Sequence, residues 1–374
     1  MNFLDRIKLQ LAELDEKGLR RSLTSPHGLD FSSNDFLCLA NDERLINSAI
    51  AGLNQFGVGS TGSRLLRGER TVFAKVEQQF ADWKGAEKSL YFSSGYQANV
   101  GLISTIAQKD DVIFSDELNH ASLIDGIRLS NAKKQLYPHL DSEKLAQLLR
   151  ETDCAGQKFL ITESLFSMDG DIAPLDKYTE ICAETDTTLI VDEAHAVGIY
   201  GNTGSGLIEK FGINHDSIIS INTAGKALGV SGAFVAGSAN LIEFLINRCR
   251  SFIFSTAPLP ICAVALNKSI ELIKTEPERR NRLLELSTFF RNLLKENNFA
   301  VLKELTQIIP ILIGDSKKAV KIAEKLQTDS FDIRAIRPPT VPIGTARLRV
   351  SLNVGLTEKN LEDFVQSLTK HLKN

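Results

Sequence analysis

Between residues 45 and 257 the chain alternates stretches of helical periodicity with short unbroken apolar runs at 89–92, 111–114, 158–162, 188–192 and 217–221. A run too short for a helix, and without polar alternation, is the pattern of a strand covered on both faces. Such strands separated by helices predict an α/β fold with a mostly parallel sheet and right-handed crossovers. Ligands bind such sheets beyond the carboxyl ends of the strands. Residues 3–22 set apolar against charged positions at helical spacing and predict an amphipathic arm that packs on something larger. After Pro258-Leu259-Pro260, helical patterns at 261–275 and 277–297 lead to short segments at 308–313 and 347–352 and a last helix from Thr357. The expected organisation is an amino-terminal helical arm at 1–44, a large α/β domain at 45–257 and a small α+β domain at 258–374.

Composition narrows the function classes. A chain of 374 residues exceeds what one core organises, and 43% apolar with 24% charged residues is ordinary globular composition. A net charge of -3 gives no electrostatic footprint for nucleic acid. The five cysteines are scattered and never spaced as C-x-x-C, so neither a disulfide framework nor a metal site is expected. The first residues lack the apolar core of a secretion signal, and no apolar stretch reaches the roughly 18 residues of a membrane span, so a cytoplasmic location without a membrane partner is expected.

Candidate chemistry gathers where the apolar runs end. Lys226 sits among small residues in Asn222-Thr223-Ala224-Gly225-Lys226-Ala227, between two buried-looking strands, which leaves room beside its amine for a flat ligand. Lysine forms imines with carbonyls, pyridoxal phosphate included; the plain alternative is a solvated lysine. Asp192 closes the run at 188–192 and opens Asp192-Glu193-Ala194-His195. A carboxylate there can hold a protonated pyridine nitrogen and His195 can donate to a phenolic oxygen, although a lone Asp more often caps a helix. The same four letters occur in nucleic-acid-dependent ATPases, but no G-x-x-x-x-G-K-[ST] loop exists here. Ser93-Ser94-Gly95-Tyr96 can bring backbone N–H groups to a phosphate with Tyr96 as a wall, His120 can stack on a flat ring, and 163–171 follows a further strand. Polar residues converging from four strand ends are what a bound cofactor requires. Gly57 to Arg64 is glycine-rich without dinucleotide spacing. Arg347 and Arg349 share a strand face and suit a carboxylate, the alternative being two solvated arginines.

With these segments in place, the chain resembles the α-oxoamine synthases, pyridoxal-phosphate enzymes of the aspartate-aminotransferase fold type. The likeness runs nearly end to end, through 30–37, 57–68, Ser94-Gly95-Tyr96, Asn119-His120-Ala121-Ser122, 166–171, Asp192-Glu193-Ala194-His195, Thr223-Ala224-Gly225-Lys226 and Phe254-Ser255-Thr256. It implies a seven-stranded, mostly parallel sheet in the large domain. It also implies Lys226 as the imine-forming lysine, Asp192 on the ring nitrogen, His195 on the phenolic oxygen and His120 stacked on the ring. Gly95, Tyr96, Ser167 and Thr223 would complete cofactor binding. Arg349 would hold the substrate carboxylate, with His120, Arg20 and Thr340 also on the substrate side, in a homodimer with shared active sites. The segments 166–175 and 337–342 are most similar to the biotin-pathway member, which condenses L-alanine with a pimeloyl thioester carried on coenzyme A or a carrier protein. A glycine and acetyl-CoA enzyme, a long-chain α-aminoketone synthase and a catalytically silent dimeric homologue are the alternatives. Phe73, Cys38 and Thr61 depart from the family's usual histidine, glycine and glycine.

Overall fold

A computed structural model of the chain describes residues 1–214, 218–301 and 305–373; Ser217, which opens one of the expected strands, lies outside them. The chain divides into two compact units, one of residues 37–167 with 172–280, the other of 1–36 with 168–171 and 281–374.

The first unit is built on a seven-stranded sheet. From edge to edge its strands are Lys88–Phe92, Ala233–Gly237, Ile218–Thr223, Thr187–Asp192, Lys158–Glu163, Val112–Asp116 and Lys133–Tyr137. Neighbours from Ile218–Thr223 to Lys133–Tyr137 are parallel, whereas Ala233–Gly237 runs against both of its neighbours. The expected runs form these strands because helices cover both faces. Leu102, Ile103 and Leu123 from helices meet Ile113, Ile161 and Ile190 from the sheet in one core. Lys133–Tyr137 has a polar sequence and exposed side chains, as an edge strand does, and carries no apolar run that would mark it. The helix Pro260–Thr275 belongs to this unit, packed so closely on helix Glu43–Phe56 that a methyl on Gly52 would lie 3.0 Å from Val264. The division between units falls within the next helix, Pro277–Glu296.

Two departures from the family's residues occupy special backbone. Cys38 (φ 52°) and Thr61 (φ 59°) both adopt the left-handed conformation, where a side chain costs about 1–2 kcal/mol and glycine nothing. Glycine loses about 0.5–1 kcal/mol more conformational freedom on folding, so the backbone term wins. Thr61→Gly is therefore expected to raise stability by about 0.5–1 kcal/mol, read as a higher urea midpoint with an unchanged slope. Phe73 is fully buried, 6.1 Å from the ring of Tyr91 and beneath the Arg64 guanidinium, so it serves as core.

The second unit carries a three-stranded antiparallel sheet ordered Ala335–Ile336, Ala346–Ser351, Ile308–Gly314. Its core is aromatic: Phe31 stacks on Phe364 at 4.5 Å and Phe331 meets both edge-on. Leu29–Asp30 pairs in parallel with Phe331–Asp332, which ties the chain's beginning to its end. Gly170 (φ 74°) lets residues 168–171 join the unit, since a methyl there would lie 2.3 Å from the Ile308 carbonyl oxygen. The amphipathic arm forms the helix Phe3–Glu16, capped by Asn2, but buries none of its side chains in the single chain; Phe3 and Leu4 are each 64% exposed. Only the end of the expected arm meets the larger body, where Arg337 donates to Gly18 O at 2.5 Å and Arg21 donates to Thr340 at 3.2 Å.

Candidate active site

The carboxyl ends of the sheet strands in the first unit bring the expected polar residues together. Thr223 ends one strand, and the chain returns through Lys226 to Ala233–Gly237, its antiparallel neighbour. That return is tightly bound: Ala224 N–H donates to Gly232 O (2.8 Å), Val230 N–H to Ala224 O (3.1 Å) and Gly229 N–H to Lys226 O (2.9 Å). Gly229 (φ 69°) allows the close passage, since a methyl there would fall 2.6 Å from Ala40 N. The half-buried Lys226 reaches His195, with Nζ 2.8 Å from Nε2. One nitrogen of that contact donates and the other accepts, so the two groups share a proton instead of facing each other as two cations.

Asp192 is the last residue of its strand and is buried. Its carboxylate accepts from Ala194 N–H (2.9 Å) and from the Asn99 side-chain amide (2.8 Å). Asn99 Nδ2 also donates to Ser122 Oγ at 2.8 Å. Ser122 Oγ lies 2.7 Å from His120 Nδ1, and Ser122 N–H donates to that same nitrogen at 3.2 Å. Because a main-chain N–H can only donate, Nδ1 is the accepting nitrogen and the neutral ring carries its proton on Nε2. Burial lowers the His120 pKa below its ordinary value; Asp192 opposes the shift and Lys226 adds to it. The imidazole is thus neutral at physiological pH.

The other expected cofactor residues end or follow strands of the same sheet. Ser94 caps helix Gly95–Ile106 by accepting Gln97 N–H, so the amides of Gly95 and Tyr96 lie in the first turn, where N–H groups have no helical partner. A methyl on Gly95 would stand 2.3 Å from Thr223 Oγ1, so glycine is what lets that helix start approach the strand end. The Tyr96 hydroxyl donates to Asp125, and the side chain is 48% exposed. Ser167 is buried at the end of the segment that follows Lys158–Glu163. The donor set suits a flat aromatic aldehyde bearing phosphate: an amine, a buried carboxylate, a neutral imidazole and a helix start.

Glu193, next to Asp192, serves the frame. Its carboxylate is buried against Lys84, both side chains having zero exposure, and accepts Leu207 N–H (2.6 Å) and Ile208 N–H (3.0 Å). Lys84 Nζ also donates to Ser205 O at 2.5 Å. This lysine closes the helix Thr71–Lys84 and is buried.

The expected substrate residues lie in the second unit. Arg349, buried in the strand Ala346–Ser351, donates to Ser351 Oγ (2.6 Å) and Asn34 Oδ1 (3.1 Å). Arg347 is buried too and pairs with Asp169. Both are buried, not solvated. Arg20 pairs at the surface with Asp15 (2.5 Å), while the exposed Thr340 accepts from Arg21 (3.2 Å). Arg337 donates to Gly18 O at 2.5 Å and joins the segment before Arg20 to the turn before Thr340. Asn99, Ser122 and Glu163 received no individual role from the sequence; the available signals were an asparagine on an apolar helix and an acid closing an apolar strand.

Known proteins resemble this chain over nearly its whole length. Residues 26–368 match the aminotransferase class I and II family. A putative 8-amino-7-oxononanoate synthase of Geobacillus kaustophilus is 41% identical over 96% of this chain and 93% of its own. The 8-amino-7-oxononanoate synthase of Lysinibacillus sphaericus is 40% identical over 98% and 97%. Among solved structures, the serine palmitoyltransferase of S. paucimobilis with a bound PLP–myriocin adduct superposes with a TM-score of 0.92 at 26% identity, covering 100% of this chain and 99% of that one. The 8-amino-7-oxononanoate synthase of Francisella tularensis gives 0.81 at 32% identity, covering 92% and 98%. The chain therefore belongs to the class I and II aminotransferase family, in the branch whose curated relatives are 8-amino-7-oxononanoate synthases.

Proposed function

We propose that this protein is a pyridoxal-phosphate acyltransferase of biotin biosynthesis that condenses L-alanine with a pimeloyl thioester. The products are 8-amino-7-oxononanoate, carbon dioxide and the free thiol of coenzyme A or a carrier protein. The observation that carries the reading is the meeting of Lys226 Nζ with His195 Nε2 at 2.8 Å in the unit where Asp192 and His120 are joined through Asn99 and Ser122. Relatives at about 40% identity over nearly the whole chain point to the same reaction.

Bound pyridoxal phosphate supplies the electron sink that makes a Cα proton acidic and accepts the electrons freed when carbon dioxide leaves. The chain's residues do the rest. Lys226 would hold the cofactor through its Nζ, and that amine would move the Cα proton of the substrate. Asp192 would hold the proton on the ring nitrogen, its carboxylate oriented by Asn99 and Ala194 N–H. His195 Nε2 would serve the phenolic oxygen, and the neutral His120 would help hold the ring. The amides of Gly95 and Tyr96, with Ser167 and Thr223, complete the cofactor set. Arg349 receives the amino-acid carboxylate, and Arg20 and Thr340 serve the acyl chain. The enzyme works as a homodimer in the cytoplasm; among the described residues no helix is long and apolar enough to cross a membrane.

The rival readings differ in substrate. Purified protein with cofactor is expected to turn over L-alanine plus pimeloyl-CoA or the pimeloyl-loaded carrier, with the product identified by mass. Preference for glycine plus acetyl-CoA would replace this reading with the ligase one.

A further inference from the structure

Glu163 ends the strand Lys158–Glu163 at the register position of Asp192 on the parallel neighbour. Paired residues of adjacent parallel strands project to the same face, so two carboxyl groups leave the sheet edge side by side. Both are buried, Glu163 at 3% exposure and Asp192 at 4%. They are served unequally. Asp192 accepts two N–H groups, from Ala194 and Asn99. Glu163 accepts the main-chain N–H of His120, while its Oε1 has no hydrogen-bond partner. Two adjacent buried carboxyls do not both ionise, and the one with more donors keeps the charge.

We propose that Glu163 is a positioning residue of this site, a carboxylic acid that stays protonated beside the ionised Asp192 and ties the His120 turn to the sheet. This rests on the cofactor reading above. The ties form a closed circuit: Asp192 to Asn99, Asn99 to Ser122, Ser122 to the His120 ring, His120 N–H to Glu163, and Glu163 by strand register back to Asp192. A neutral Glu163 leaves one negative charge for one ring nitrogen; an ionised one would place a second anion there and compete with the Asp192 charge. The groups that bear on Glu163 from the surrounding elements are Asp192 and Asp116 from neighbouring strands, Lys226 from its loop, and His120. Burial dominates and pushes Glu163 up to about 8, with Asp192 adding to the shift and Lys226 opposing it.

The first test uses protein freed of cofactor, so its outcome is independent of whether the cofactor reading holds. Difference infrared spectra at neutral pH are expected to show a protonated carboxylic-acid carbonyl band that is lost in Glu163→Gln. The sign of the pH dependence follows from the raised value: folded protein keeps a proton that the unfolded chain, at its ordinary value of 4.5, releases, so stability falls as pH rises from about 4.5 towards 8. Glu163→Gln should lack that component of the slope. The second test measures pyridoxal-phosphate binding: Glu163→Gln should retain wild-type affinity, whereas Glu163→Ala should weaken it about 10-fold or more, as loss of a supporting partner does. Circular dichroism of both variants checks folding, and should Glu163→Ala fail to fold, the glutamine variant and the infrared band decide alone. Absence of the carbonyl band, or a glutamine variant that binds as weakly as a folded alanine variant, would overturn the proposal.

Discussion

Lys226→Ala is expected to abolish turnover, lowering kcat by about 10⁴-fold or more, and to remove the visible imine absorbance of the cofactor-loaded protein. Two functions vanish with one side chain, the covalent attachment and the base. The fold should persist, because Lys226 is half-buried in a loop held by main-chain hydrogen bonds from Ala224, Gly229 and Val230 that do not involve its side chain. Stopped-flow absorbance with L-alanine and a circular-dichroism melt separate the two effects. A variant with wild-type imine absorbance and turnover would remove Lys226 from the mechanism. Loss of both activity and fold would show that the His195 contact at 2.8 Å is structural.

The largest expected effect on stability comes from the concealed pair beneath the site. Lys84→Met keeps the volume of the side chain and removes its charge, leaving the Glu193 carboxylate buried with two N–H donors and no cation. Removing one partner of such a pair costs about 3–5 kcal/mol, far more than an exposed ion pair contributes. Chemical unfolding should register that loss, and adding Glu193→Gln should restore much of it, since a neutral amide can still accept both N–H groups. Because Glu193 sits between Asp192 and the turn to His195, kcat should fall as well while KM changes less. A single variant as stable as wild type would show that water or a shifted backbone compensates the charge.

Much of the catalytic group was legible because apolar strands in a parallel sheet end abruptly in the residues that face the ligand. Asp192 closes such a run, His120 and Lys226 each follow one, and the structure brings these strand ends together. What stayed hidden depends on proximity across the chain. Asn99 meets Asp192 from 93 residues away, and nothing local to either predicts it. The strand Lys133–Tyr137 is an edge, where half-exposure erases the apolar signature. Residues 1–36 and 168–171 join the carboxyl-terminal unit through pairings such as Leu29 with Phe331, a long-range choice that composition does not mark. The helix Pro260–Thr275 reads as the start of the small domain because it follows a proline pair, yet Gly52 of Glu43–Phe56 gives Val264 a close seat on that helix.

The reversed strand Ala233–Gly237 has a further implication. In the parallel part of the sheet, a loop leaving one strand must travel to a helix before it returns, so its tip inherits the slack of a long detour. The loop bearing Lys226 is instead the bend of a hairpin, clamped at its mouth by two ribbons whose rungs are in fixed correspondence from Ser220 with Ala236 to Thr223 with Ala233. Sliding one ribbon by a single rung would turn every inward side chain outward. The amine's location is thereby metered by the sheet itself, and remodelling the flanking helices for other acyl chains would leave that yardstick undisturbed.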